Sequence, residues 1–281
     1  MELFEKKKGL EQALEPDRVR GLSIGFVPTM GALHQGHLSL VERAARENDR
    51  VVVSIFVNPN QFNDPNDLKN YPRTLDADKA LLSAVAYDYL FVPSIDEVYP
   101  ETDTRKFSFG ALETVMEGRY RPGHFNGVAQ VVSKLFDMVR PDRAYFGLKD
   151  FQQYSIIKNM VSRMDLPVSI VGCDTMREAD GLAMSSRNTL LTIEHRAVAP
   201  QIYCILQEAR VEAGHFTPEE VQMKVKGKIS SFKLLNLEYF EIVDELTLLP
   251  CTDWSQPGKK VGCIAVYAGS VRLIDNIFFD K

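Results

Sequence analysis

Positive charge is in short supply. Lys and Arg number 33 against 38 Asp and Glu, which leaves the 281-residue chain at a formal net charge of −5. That excludes a nucleic-acid-wide basic surface while leaving room for a local basic pocket around a small anion. Nucleic acid is not expected as a partner. Cysteine is also scarce: Cys173, Cys204, Cys251 and Cys263 form no CxxC pair, and their mostly apolar settings suit buried free thiols in a reducing compartment better than a disulfide framework. No apolar run approaches the roughly 20 residues that span a bilayer, and the charged stretch from Met1 to Leu14 lacks the apolar core of a secretory leader. A soluble cytoplasmic protein with no membrane partner is expected. Internal repeats and low-complexity segments are missing too. With 45% hydrophobic residues, the chain has material for one large domain or a large one and a small one.

What is present centres on Phe26-Val27-Pro28-Thr29-Met30-Gly31-Ala32-Leu33-His34-Gln35-Gly36-His37. The apolar run 22–27 reads as a strand, and Leu38, Val41, Ala44 and Ala45 recur at helical spacing, so a glycine-bearing loop joins a strand end to an amphipathic helix. Gly31 and Gly36 let backbone approach a bound group, and the first N–H groups of the helix have no internal partner, so an anion is the natural occupant. Zinc motifs on a helix place histidines four apart around a glutamate. Here His34 and His37 are three apart around Gln35 and Gly36, which turns the reading from metal to phosphate, with imidazole as donor. The helix dipole disfavours imidazolium, so charge on these rings is expected to follow ligand binding.

The run 51–57 is almost continuously β-branched and reads as a strand buried on both faces of a parallel sheet, completing a βαβ unit. Asn58, Asn60 and Gln61 emerge at its carboxyl end, where such sheets bind ligands. Asp76 and Asp78 open a helix, where acidic groups suit the dipole; a metal contact is the alternative for Asp78. Residues 89–92 form a third strand. The stretch 93–127 then loses periodicity, and its Arg121 and His124 read equally as an anion-facing pair or as part of a solvated flap. After a helix face through Val128, Val131, Val132, Leu135, Phe136 and Val139, strand 144–146 runs into Gly147-Leu148-Lys149-Asp150 and the helix 151–164. Lys149 opposes the dipole of that helix, which points to anion binding, and Gln152 or Gln153 could reach the same crevice.

Strand 168–171 closes the parallel sheet. In the segment 177–188, Ser185, Ser186 and Arg187 can surround phosphate oxygens with directed donors, or Ser186 can cap the helix beginning near Ile193. Helices 193–213 and 217–232 and strands 237–243, 261–267 and 271–274 then suggest an antiparallel sheet. The fold expected is α/β: a Rossmann-like parallel sheet with helices on both faces over residues 1–176, and a smaller α+β lid domain over residues 177–281.

Seven stretches in order are similar to the pantothenate synthetase family, ATP-dependent ligases within the HxGH-type nucleotidyltransferases: the loop 28–37, Asn58-Pro59 with Gln61-Phe62, Tyr71-Pro72-Arg73-Thr74, His124-Phe125-Asn126-Gly127-Val128, Lys149-Asp150-Phe151-Gln152-Gln153, Met184-Ser185-Ser186-Arg187 and Arg272-Leu273-Ile274-Asp275-Asn276. The resemblance implies an ATP site at Met30, Gly31, Ala32, Leu33, His34, Gln35, Gly36 and His37, continued by Gly147, Leu148, Lys149, Asp150, Met176, Met184, Ser185, Ser186 and Arg187. It implies that Gln61 and Gln153 hold pantoate, that Gln61 also lies near β-alanine, and that His37 is the proton donor. The catalytic set expected is His34, His37, Lys149, Ser186 and Arg187, with Mg²⁺ across the ATP phosphates and Asp78 its candidate ligand; a homodimer is implied. Leu148 departs from the polar residue common in the family, so only backbone contact is expected there. The alternative activity is transfer of AMP to a phosphate or nucleotide acceptor, against which Gln61 and Gln153 speak, since such an acceptor calls for basic residues.

Overall fold

The β-branched run around Val52 lies in the middle of a six-stranded parallel sheet, in a computed structural model that describes residues 2–62 and 65–279. Its strands are β1 (Glu2–Phe4), β2 (Ile24–Thr29), β3 (Arg50–Ile55), β4 (Tyr89–Phe91), β5 (Arg143–Gly147) and β6 (Ser169–Cys173). They run in the order β1-β4-β3-β2-β5-β6. Side chains alternate between faces, and the two cores follow that alternation. Phe26, Val52, Phe91, Ala144 and Phe146 pack under the helices Lys7–Val19, His124–Val139 and Phe151–Arg163. Val27, Val51, Val53, Leu90 and Tyr145 pack under Gln35–Glu47 and Leu75–Leu82. Helices therefore cover both faces, as the apolar runs required.

A second sheet is antiparallel, β7 (Leu235–Asp244), β8 (Lys260–Ala268) and β9 (Val271–Phe279), in that order. One of its faces, with Tyr239, Val243, Val261 and Cys263, joins the main core. The other, with Phe240, Ile242, Ile264 and Val266, closes on the helices Gln201–Glu212 and Pro218–Ser230. The latter helix starts with a reciprocal cap between Thr217 and Glu220.

One strand is added and three local readings are corrected. At the amino end, residues 2–4 form the edge strand β1 on β4, too short to show periodicity. The helix expected over 193–213 is two, Ile193–Val198 and Gln201–Glu212, because Pro200 lacks the N–H that continuity needs. The stretch 93–127 contains the helices Ile95–Val98 and Met116–Tyr120, each under two turns. The strand expected over 271–274 continues to Phe279, paired along its length with β8.

Candidate active site

The sheet order reverses between β2 and β5: from β2 the chain proceeds outward to β3 and β4, and β5 then lies on the opposite side. Ligands of open parallel sheets bind at the carboxyl ends of such neighbours, where the diverging connections leave a crevice. Both glycine-bearing turns singled out in the sequence, after Thr29 and after Gly147, fall there.

Thr29 ends β2 with its Oγ1 donating to the Ser54 carbonyl at 2.7 Å and accepting from the Gly31 N–H at 3.3 Å. The chain then turns through Gly31 (φ +79°) and Ala32 (φ 48°), a left-handed conformation that glycine adopts freely and alanine does not. Asp78 holds the turn. Its buried carboxylate accepts the Ala32 N–H at 3.1 Å, the Leu33 N–H at 2.8 Å and the Thr74 hydroxyl at 3.3 Å. Asp78 thus serves as a buried acceptor for the loop backbone and does not itself line the crevice.

His34 caps the helix Gln35–Glu47. Its Nδ1 accepts the Gly36 N–H at 3.1 Å, and the His37 Nδ1 accepts the His34 N–H at 3.2 Å. A ring nitrogen that accepts carries no proton, so both neutral imidazoles keep their hydrogen on Nε2. The ring centroids lie 4.1 Å apart, with the planes tilted by 42°. Though reached by solvent, His37 lies deep among protein atoms; burial, then His34 and Lys149, push its pKa down to about 3. Burial and Lys149 bring His34 to about 4. Near neutral pH both are uncharged donors, and an arriving anion would raise both values.

The opposite wall comes from β5. Lys149 sits in a single turn of 3₁₀ helix, Leu148–Asp150, ahead of the helix Phe151–Arg163, with its Nζ 3.3 Å from Asp150 Oδ2. The third wall is the arm after β6. Met184 N–H donates to the Met176 carbonyl at 2.9 Å, which brings both methionines to the crevice. Ser185 Oγ accepts the Arg187 N–H at 3.2 Å and so starts the turn Ser186–Leu190. Thr192, not Ser186, caps the helix Ile193–Val198, which closes that alternative.

The cavity between the walls has a volume of about 190 Å³ and opens to solvent. Of the residues expected at the nucleotide, Met30, His34, Gly36 and His37 line it from the first wall, and Gly147, Lys149 and Asp150 from the second. Met176, Met184, Ser185, Ser186 and Arg187 line it from the third, with Gln153 beside them. Gly31, Ala32, Leu33, Gln35 and Leu148 do not. The Leu148 side chain packs against Gly172, whose added Cβ would meet it at 2.8 Å.

Gln61 stands one layer back. It is buried, and its Nε2 lies 3.0 Å from the Met30 sulfur while Asn58 Nδ2 donates to its Oε1 at 3.4 Å. Its main chain is held from below. His124 Nδ1 donates to the Gln61 carbonyl at 2.7 Å, leaving Nε2 to accept from Arg121 Nη1 at 3.1 Å. Burial and Arg121 push the His124 pKa down to about 4. The solvated-flap reading of His124 is therefore corrected: the ring is a buried support for the Gln61 turn. Gln152 is structural too, donating to the Leu112 and Val115 carbonyls at 2.7 and 2.9 Å. Tyr71, Asp174 and Thr175 line the crevice without having been singled out for it. Tyr71 stood inside a recognised stretch; Asp174 and Thr175 follow β6, and a strand-end position was the signal available.

Among the described residues no three His, Cys, Asp or Glu side chains gather as a metal site. The crevice suits Mg²⁺ in the mode that ion commonly adopts, on substrate phosphate oxygens with one or two carboxylates. Asp150 is the carboxylate beside Lys149 in the lining.

A histidine-capped helix, a lysine turn and a serine–arginine arm meeting where a parallel sheet reverses its order define a nucleotide-binding α/β enzyme of the HxGH type. The chain belongs to the pantoate-beta-alanine ligase family, whose model matches residues 2–278. It is 53% identical over 280 residues to the pantothenate synthetase of Porphyromonas gingivalis, and 54% identical over 281 residues to that of Bacteroides fragilis, with 100% of each chain covered. The solved pantothenate synthetase of Thermus thermophilus superposes with a TM-score of 0.92 at 44% identity, covering 99% of both chains. The Francisella tularensis pantoate-beta-alanine ligase, solved with β-γ ATP and β-alanine, gives 0.82 at 35% identity and covers 100% of this chain and 98% of its own.

Proposed function

We propose that the chain condenses pantoate with β-alanine at the expense of ATP, giving pantothenate, AMP and pyrophosphate by way of a pantoyl adenylate. The observation that carries the reading is the meeting of two Nε2 donors, Lys149 and the Ser185–Arg187 segment in one crevice at the sheet's reversal. Family membership supports it.

A carboxylate is a poor acylating agent, since oxide would have to leave. In the first step a pantoate carboxylate oxygen bonds to the α-phosphorus, and the bond to the pyrophosphate oxygen breaks with its electron pair. Negative charge grows on the α-phosphoryl oxygens and on the leaving group, where His37, His34, Lys149, Ser186 and Arg187 offer preplaced donors and cations. Mg²⁺ held on the phosphates would neutralise part of that charge. In the second step the β-alanine amine bonds to the acyl carbon and gives up a proton to solvent, and the acyl C–O bond breaks with its electron pair as AMP departs. Gln153, at the crevice, and Gln61, behind Met30, suit pantoate because an amide donates to carboxylate and accepts from hydroxyl without adding charge.

The same reading includes Gln61 near β-alanine, Met176 and Met184 along the nucleotide, and backbone contacts from Gly31–Leu33, Gln35 and Leu148. It also includes a boundary at 176/177, with the Ser185–Arg187 segment closing over the adenylate to keep water out. Among the described residues no helix is long and apolar enough to cross a membrane; a cytoplasmic homodimer is part of the proposal. Pantoate-dependent exchange of labelled pyrophosphate into ATP, with Mg²⁺ present and β-alanine absent, tests the adenylate. Folded protein that neither exchanges nor forms pantothenate on addition of β-alanine would overturn the function.

A further inference from the structure

Strand β9 carries two buried polar side chains in succession, Asp275 and Asn276, which the chemistry above does not use. Successive strand residues point to opposite faces, and the packing agrees: Ile274 and Phe278 join the main core, while Leu273, Ile277 and Phe279 join the second. On the first face, Asn276 Nδ2 donates to the Leu148 carbonyl at 2.8 Å and the Lys149 carbonyl at 3.0 Å, pinning the turn from which Lys149 enters the crevice. On the second face, Asp275 accepts both arms of Arg177, at 2.6 and 2.9 Å. Arg177 also donates to the Gly181 carbonyl at 3.1 Å, lies 3.5 Å over the Tyr203 ring and pairs with Ala183. It thus fixes the base of the arm whose outer residues, Met176, Met184 and Ser185, line the crevice. Two adjacent positions of one strand hold two opposing walls.

We propose that Asp275 and Asn276 are positioning residues that set the spacing between Lys149 and the Ser185–Arg187 segment, and through it the adenylation step. The proposal rests on the adenylate reading above. Neither residue lies on the sheet whose strand ends form the first two walls, so the geometry of the reacting phosphates depends on the carboxyl-terminal sheet through these contacts. Only the first step breaks the bond to pyrophosphate, so pyrophosphate exchange reads it apart from the amine step.

Asn276→Ala is the test. Pantoate-dependent pyrophosphate exchange should fall by about 10²-fold, the loss that ~1 Å of misplacement produces, while β-alanine still releases AMP from supplied pantoyl adenylate within about twofold of the parent rate. In a Lys149→Ala background the same substitution should cost nothing further, because both act through one group. Exchange at the parent rate, equal loss in both half-reactions, or losses that multiply in the double variant would each overturn the proposal. Should Asn276→Ala not fold, Asn276→Ser, which retains one donor, is read by the same ratios. A parent chain that fails to exchange would sink the adenylate reading instead; the clamp is then judged by calorimetric ATP affinity, which Asn276→Ala must weaken.

Discussion

Gly127 is where the buried support of Gln61 can be probed without touching a polar group. It lies in the first turn of the helix His124–Val139, directly under the turn that bears Gln61. A Cβ added there would stand 2.2 Å from the Asn60 carbonyl oxygen, 2.6 Å from its carbon and 2.9 Å from the Gln61 nitrogen. All three are backbone atoms, so no rotamer change relieves the clash. Ordinary contact begins at 3.4 Å, so Gly127→Ala must drive the turn back by about 1.2 Å. Overpacking of this kind costs about 1–3 kcal/mol, and a displacement near 1 Å at a substrate-orienting group costs about 10²-fold in rate. The assay is steady-state kinetics with pantoate varied and ATP saturating, beside a thermal melt. A folded variant should lose about 10²-fold in kcat/KM for pantoate with the KM for ATP little changed, because the histidine loop and Lys149 lie outside the displaced turn. Parent kinetics toward pantoate in Gly127→Ala would refute the chain of support from His124 and Gly127 to Gln61.

His37→Ala and Lys149→Ala should fold normally by circular dichroism and lose about 10²–10³-fold in pyrophosphate exchange, the effect of removing a single oxyanion donor. Asp78→Ala leaves the Ala32 and Leu33 N–H groups without their acceptor and should lower stability by about 1–3 kcal/mol; the Mg²⁺ concentration for half-maximal activity should not move, and a large rise would mark Asp78 as a metal ligand. His34, His37 and His124 have pKa values lowered from 6.5 to about 4, 3 and 4, so the unfolded chain binds more protons below pH 6.5. Their neutral forms support the fold fully above that value, and the support is lost as pH falls toward 4. Urea midpoints measured from pH 6.5 to 5 should therefore drop, and the slope should flatten in His124→Gln; an unchanged slope would count against the burial of that ring.

The parallel sheet and the histidine loop were legible in the sequence because both are written locally. The runs around Val27 and Val52 show their period within six residues, and the change to helical spacing after His37 marks the turn. What was not legible depends on partners far along the chain. Asp78 looked like a helix-end acid because the amides it holds lie 45 and 46 residues earlier. His124 looked as exposed as its glycine-rich neighbours, and only the carbonyl of Gln61, 63 residues away, explains its burial. Gln152 and Gln153 are equivalent to any pattern argument, yet the helix's rotation buries one against Leu112 and Val115 and leaves the other at the crevice. Asp275 and Asn276 were recognisable as part of a stretch, but their tasks appear only once β9 lies between two walls.

The reciprocal cap of His34 and His37 limits what the loop can do with protons. Each ring spends its Nδ1 lone pair on a backbone N–H, so a second proton could enter only by expelling that hydrogen bond and opening the first turn of the helix. Surrender of the Nε2 hydrogen from a neutral ring would leave an imidazolate, a species far too basic to persist near neutral pH. With neutral rings the loop lends a hydrogen to an oxygen; outright proton donation by His37 requires that anion binding first charge the ring, at the expense of the Nδ1 hydrogen bond. Below the pH at which these rings charge, the helix cap itself comes apart.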